Sequence, residues 1–239
     1  MRRWTRRVPP PIVPLYRKAW ELGEYRYYGR IGDLLADGPK KAAEKTGKGS
    51  LASAMQVKNS GFAAWMPRRM KGVALAFATS NRGACHKRAP IGDEIMGKLD
   101  MDSYEGKAPI VKEIQDTVNA IFTFVACRFH EFETPKDMYP AFLEAATGQK
   151  LTLEEFVAVG ERIWNLERLF NVGAGFGRKD DTLPDRCFEP IKGEASKGAV
   201  ITHEAFDRML DEYYAVRGWT KEGVPTPATL KRLGISDAA

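Results

Sequence analysis

From Pro109 onward, apolar residues recur at the three-and-four spacing of one helix face: Ile110, Val111, Ile114, Val118, Ile121, Phe122, Val125 and Phe129. No other feature restricts the fold as strongly, because a chain with this rhythm buries stripes rather than alternating faces. Pro109 suits the start of such a helix, where its missing N–H has no partner to lose. Toward its C-terminal end the segment is apolar nearly all round, which predicts that this end, with Cys127 in it, is central to the core.

The same rhythm returns twice. Thr152 followed by Glu155 makes a capping box, and Phe156, Val159, Ile163, Leu166 and Phe170 give the helix it opens one apolar stripe. A further helix is predicted after Thr202, turning Phe206, Met209, Leu210 and Tyr213 inward and ending at Gly218. Thr226 and Pro227 open a last short helix that Gly234 closes. Upstream, "LYRKAWELGEYRYY" and "IGDLLADGPKKAAEKTG" read as short helices, the latter broken at Asp37 and Gly38 with Pro39 in the next first turn. "VKNSGFAAWMPRRMKG" reads as a loop, and "VALAFATS" as a short buried element of either type. Successive prolines in "VPPPIVP" exclude a helix and predict an extended arm. No alternating run is long enough for a sheet of several strands, and no repeat occurs. The expected fold class is mainly α.

Charge is distributed unevenly. Residues 1–90 carry 19 basic and 5 acidic side chains, whereas residues 91–239 carry 18 and 26, so a strongly basic first part precedes an acidic second. The basic part calls for an anionic partner: nucleic acid, a phosphorylated cofactor or an acidic protein surface. The arm "MRRWTRR" with no recognition motif argues only for weak, salt-sensitive binding of nucleic acid. No apolar run reaches the roughly 20 residues of a membrane span, and the N-terminus lacks a signal peptide's apolar stretch, so the sequence places the chain in the cytoplasm. Cys85, Cys127 and Cys187 are widely spaced and odd in number, which excludes a disulfide framework.

Two stretches stand out chemically. "ATSNRGACH" packs Arg82, Cys85 and His86 behind an apolar segment; with Cys127 and His130 it offers zinc-type ligands, although nothing in the spacing brings the pairs together. A cubane iron–sulfur cluster needs a close group of thiolates that this chain lacks, leaving at most one ligand. "LFNVGAGFGRKDDTLPDR" has glycines but no following Lys-Ser or Lys-Thr pair, and reads as a surface loop pinned by Pro184 and Arg-to-Asp pairs.

In series, "GDLLADGPKKAAEKTG", "GVALAFATSNRGACHKRAP", "IWNLERLFNVGAGFGRKDDTLPDR" and "MLDEYYAVRGWTKEGVPTPATLKRLG" closely resemble the C-terminal helical portion of the tungsten-containing aldehyde ferredoxin oxidoreductases. The resemblance runs from about Tyr16 to Ile235. It implies residues 1–57 as an N-terminal arm with a remnant of the middle helical domain, and 58–239 as the C-terminal helical domain. It implies an activity, oxidation of an aldehyde to a carboxylic acid, with electrons passing through a 4Fe-4S cluster to ferredoxin. The implied metal is tungsten, or molybdenum, between two pterin dithiolenes (molybdopterin) in a β-rich domain that would have to be a separate subunit here.

The resemblance also assigns residues: His86 as proton donor or acceptor near the metal, Arg88 with Arg82 as cofactor contacts, and Cys127 as the last ligand of the cluster. A histidine titrating near neutrality suits proton transfer, and a soft anionic thiolate suits iron. Departures are equally specific. A family glutamate stands as Gly61, an acidic residue before Pro-Arg as Met66, and the Asp and Gly of an Asp-x-x-Gly-x-Cys pterin motif as Phe122 and Val125. Loss of the covering domain is expected to leave Phe62, Trp65 and Phe122 in an exposed apolar patch that favours self-association. The alternative reading is an inactive helical remnant or interaction module.

Overall fold

The computed structural model describes residues 34–238 apart from 64, 90, 127–129, 131–132 and 194–195. The N-terminal arm, the "LYRKAWELGEYRYY" helix and Cys127 lie outside the described residues. The chain divides into two compact units, Met1–Ala54 and Met55–Ala239. In the first, α1 (Pro39–Thr46) begins with Pro39 in its first turn after the left-handed Gly38, as expected from the Asp37-Gly38 break.

The second unit opens with a two-residue hairpin, β1 (Gln56–Val57) against β2 (Ser60–Gly61), and is otherwise helical. Its helices are α2 (Lys71–Thr79), α3 (Gly92–Ile95), α4 (Lys107–Phe122), α5 (Met138–Thr147), α6 (Leu153–Gly173), α7 (His203–Arg217) and α8 (Pro227–Leu233). The fold is mainly α. The caps read from sequence are present: Thr152 and Glu155 close a reciprocal capping box on α6, Thr202 and Thr226 cap α7 and α8, and Gly218 and Gly234 end them in left-handed conformations.

"VALAFATS" resolves as helix α2, every residue of which is buried. Its first turn has free N–H groups inside the protein, and Glu94 supplies the acceptor: its carboxylate receives the amides of Gly72 at 2.8 Å and Val73 at 3.2 Å and is itself neutralised by Lys107 at 2.5 Å. Around α2 the main core gathers Ile91, Val111, Trp164, Leu210 and Tyr213.

Sequence expectations are corrected in three places. Helix α4 begins at Lys107, with Pro109 still in its first turn, but stops at Phe122 rather than continuing toward Phe129. Its C-terminal half, Gln115 to Ile121, is buried without a break, as expected, but beyond it Val125 takes φ 54°, a left-handed backbone no helix continues through, with 94% of its surface exposed. The part of this expectation that concerns Cys127 and Phe129 lies outside the described residues.

Helix α6 also turns a different face inward. Phe156 is buried as predicted, but the stripe runs out to solvent, with Leu166 39% and Phe170 78% exposed. The buried row is Phe156, Gly160, Trp164 and Arg168, with Glu161 and Asn165 beside it. Gly160 decides this, because only a residue without a side chain lets α6 approach the backbone of α4 at Asp116. Phe62 and Trp65, expected in an exposed patch, pack against the main core, and Phe122 lies beneath the Arg88 guanidinium, 5.6 Å from ring centre to Cζ.

Several buried charges are paired, while Lys71 and Arg68 donate to backbone carbonyls instead. Arg168 meets Asp181 at 2.8 Å, both side chains fully buried, and Lys58 and the Tyr214 hydroxyl reach the same carboxylate at 2.8 and 2.6 Å. This is the Arg-to-Asp pinning expected of the glycine-rich loop. On α6, Glu161 receives Arg232 at 2.8 and 3.0 Å and Lys112 at 3.2 Å. Burial alone would raise the Glu161 carboxyl; the Arg232 hydrogen bonds and the Lys112 charge outweigh it and hold it at about 2, below its ordinary 4.5. An unfolded chain then takes up this proton first as pH falls, so the stabilisation is full above pH 4.5 and is lost as pH drops toward 2. Replacing Glu161 with Gln is expected to cost about 2 kcal/mol at pH 7 and to flatten the acid limb. Urea titrations between pH 2 and 7 on both proteins measure it, and parallel acid limbs would refute the assignment.

Candidate functional site

Immediately after α2 the chain enters the turn Asn81–Ala89, which carries Arg82, Cys85, His86 and Arg88 together. Gly83 makes the turn possible: its φ is 85°, and a Cβ there would lie 2.4 Å from the Val57 carbonyl oxygen of the hairpin. Side chains lock the turn to α6. Asn171 donates to the Asn81 carbonyl at 2.6 Å, and the Asn81 amide donates to the Trp164 carbonyl at 3.1 Å. Lys58 from the hairpin donates to the Ala78 carbonyl at 2.6 Å.

His86 is half-buried with its ring edge-on to Trp65, centroids 5.3 Å apart. Burial first, then the charges of Lys87 and Arg82, lower its pKa from the ordinary 6.5, so the imidazole is neutral at pH 7. A neutral imidazole is the proton-accepting form. Arg82 is exposed and donates through Nη2 to the Cys85 sulfur at 2.9 Å.

Arg88 points inward. Its two Nη groups meet the Glu167 carboxylate at 2.8 and 3.0 Å, Nη1 also reaches Asn119, and Phe122 covers it. The turn thus brings His86, Arg82 and Arg88 into one short stretch, but only the first two face outward. Glu167 and Asn119 were not singled out in the sequence, and Trp65 only as part of an exposed patch, not as a neighbour of His86. Their partners lie between 21 and 79 residues away, and no local pattern announces such contacts.

Cys187 is buried and its thiol is pushed up to about 12 by burial, which marks it as a structural residue. Among the described residues no three His, Cys, Asp or Glu side chains gather as a metal-binding group. No helix among them is long and apolar enough to cross a membrane.

The fold and turn thus define a helical domain in which buried ion pairs hold one polar turn carrying a neutral histidine. Residues 25–235 match the family model described as aldehyde ferredoxin oxidoreductase, domains 2 and 3. The tungsten-containing aldehyde ferredoxin oxidoreductase of Pyrococcus furiosus is 39% identical over 214 residues, covering 87% of this chain and 34% of that protein. Its counterpart from Thermococcus kodakarensis is 38% identical over 218 residues, 88% of this chain and 35% of its own length. An aliphatic sulfonate oxidoreductase, WOR-like subunit, of P. furiosus is 31% identical over 103 residues, 41% of this chain and 16% of that one.

Among solved structures, the active site complex BamBC of benzoyl coenzyme A reductase in complex with 1,5-dienoyl-CoA shares the fold. Its TM-score is 0.68 at 19% identity, over 87% of this chain and 37% of that chain. The chain belongs to the aldehyde ferredoxin oxidoreductase family. It spans about a third of the length of the curated relatives it matches.

At the corner where the family resemblance places a pterin, this chain's own residues do not fit one. Where the family motif has an acid, Phe122 is folded onto Arg88, and Arg88 is committed to Glu167 and Asn119. Val125, where the resemblance places a glycine, has a left-handed backbone, a conformation that strains a β-branched residue. Met66, in place of an acid, leaves Arg68 donating to a thioether sulfur at 3.5 Å.

Proposed function

We propose that this chain is the C-terminal helical part of an assembly that oxidises an aldehyde to a carboxylic acid, with the pterin-bearing part lying in another domain. Aldehyde and water yield the acid, two protons and two electrons, and the electrons pass to ferredoxin. His86 takes up one of the protons on its neutral imidazole, while Trp65 holds the ring in place. Cys127 supplies one thiolate to a 4Fe-4S cluster whose other ligands lie on that domain. Tungsten, or molybdenum, with its molybdopterin belongs to that domain, in keeping with a pterin corner that Phe122 fills here. The chain acts in the cytoplasm.

The observation that carries this reading is the half-buried His86, held edge-on to Trp65 on the turn that the resemblance singles out. In the assembly isolated anaerobically from its native source, His86→Asn is expected to lower kcat about a hundredfold with little change in KM. Undiminished turnover would remove His86 from the chemistry. A second reading, a catalytically silent scaffold, is favoured by the commitment of Arg88 to Glu167 and Asn119. Isolation of the chain without tungsten, iron or a companion subunit would decide for it.

A further inference from the structure

A cavity of about 440 Å³ opens between the turn and α6, lined by Arg82, Arg88, Glu167, Leu166 and Phe170 among others. It is an open groove rather than an enclosed chamber, so a ligand there would keep part of its surface in water. Charge on its wall does not cancel. Arg88 and Glu167 neutralise each other at 2.8 Å, which leaves Arg82, with no carboxylate partner among the described residues, as one surplus positive charge. Arg82 spends one N–H on the Cys85 sulfur, which orients the guanidinium, and retains four donors. Next to it Leu166 and Phe170, one turn apart on α6, present apolar surface left uncovered, the end of the stripe that fails to turn inward.

A single cation beside an exposed aromatic face specifies a ligand with one carboxylate and an apolar body. The geometry points to this cavity as a binding site for an organic carboxylate, held by Arg82 through its oxygens and by Phe170 and Leu166 through its hydrocarbon part. Its identity as the reaction product rests on the aldehyde-oxidising reading: His86 is four residues on in the same turn, and the Arg82 charge reaches it. On that reading, the acid leaves the reacting centre toward Arg82, and substrates with an aromatic or bulky aliphatic group are preferred.

Equilibrium binding tests the site without turnover, so its outcome is independent of the His86 experiment. Benzoate titrated into the full chain is expected to bind saturably, with the neutral isostere benzamide at least tenfold weaker. Arg82→Gln is expected to weaken benzoate about tenfold and leave benzamide unchanged, whereas Phe170→Ala weakens both. Both side chains are exposed, so folding survives each change, and circular dichroism verifies it. Equal affinity for the two ligands, or undiminished benzoate binding by Arg82→Gln, would overturn the proposal. So would absence of benzoate binding with Arg82 shielded by a co-isolated subunit, which would assign the carboxylate to a partner's side chain instead.

Discussion

Asp116→Ala is expected to lower the stability of the chain by about 4 kcal/mol, because it strands a cation in the core. Arg217 ends α7 with no exposed surface. It forms an ion pair with Asp116 and donates to Gln115 at 2.7 Å and to the Tyr213 hydroxyl at 3.0 Å. Trp164 and Tyr213 flank the guanidinium, 5.1 and 5.3 Å from ring centre to Cζ. Burial disfavours its charge, and Asp116 more than restores it, so that the pKa of Arg217 is raised. Arginine cannot escape by losing its proton. Removing the carboxylate therefore leaves the full desolvation cost without its compensation, whereas removing both charges does not. The double variant Asp116→Ala with Arg217→Met should recover much of the loss. Urea unfolding of the four proteins measures the coupling; simple additivity of the two single effects would show that the pair is not energetically linked.

That network explains which parts of the fold could be read from the sequence. Caps are local: Thr152 with Glu155, Thr202 with the amide of Ala205, and Gly218 and Gly234 in left-handed conformations each depend on residues within one turn. These elements were legible for that reason. The inward face of α6 was not. Hydrophobicity selects Leu166 and Phe170, whereas the structure buries Glu161, Asn165 and Arg168, whose charges and amides are satisfied by Arg232, Trp219 and Asp181. A buried polar side chain with distant partners has the same local signature as a solvated one. The end of α4 was hidden for a related reason. The apolar period continues through Val125 and Phe129, while the left-handed turn at Val125 shows itself only in the backbone.

The site divides in the same way. Arg82, Cys85, His86 and Arg88 in one short turn were conspicuous as residue types, and the turn that carries them follows from Gly83 packed on the hairpin. Their orientations were not legible, because Glu167 and Asn119 draw Arg88 inward and leave Arg82 facing out. Two arginines six residues apart thus take opposite parts, one holding the turn to α6 and one available to a ligand.

The close approach of α4 and α6 makes Gly160 the position least able to accept a side chain. A Cβ at Gly160 would lie 1.8 Å from the Asp116 carbonyl oxygen and 2.7 Å from the Ala120 amide nitrogen. Both obstacles are helix backbone, which no rotamer change relieves, so the helices must part. Helix propensity alone favours alanine over glycine by about 1 kcal/mol, and overpacking of a core costs up to about 3 kcal/mol and at times more. Here the second effect wins, because separation would also loosen Asp116 from Arg217 and Glu161 from Lys112. Gly160→Ala is expected to lose about 3 kcal/mol or more, and Gly160→Val to prevent folding. Thermal unfolding followed by circular dichroism checks both. Retention of wild-type stability by Gly160→Ala would mean that the two helices do not meet at Asp116, and that Trp164 and Arg168 reach the core by another arrangement of α6.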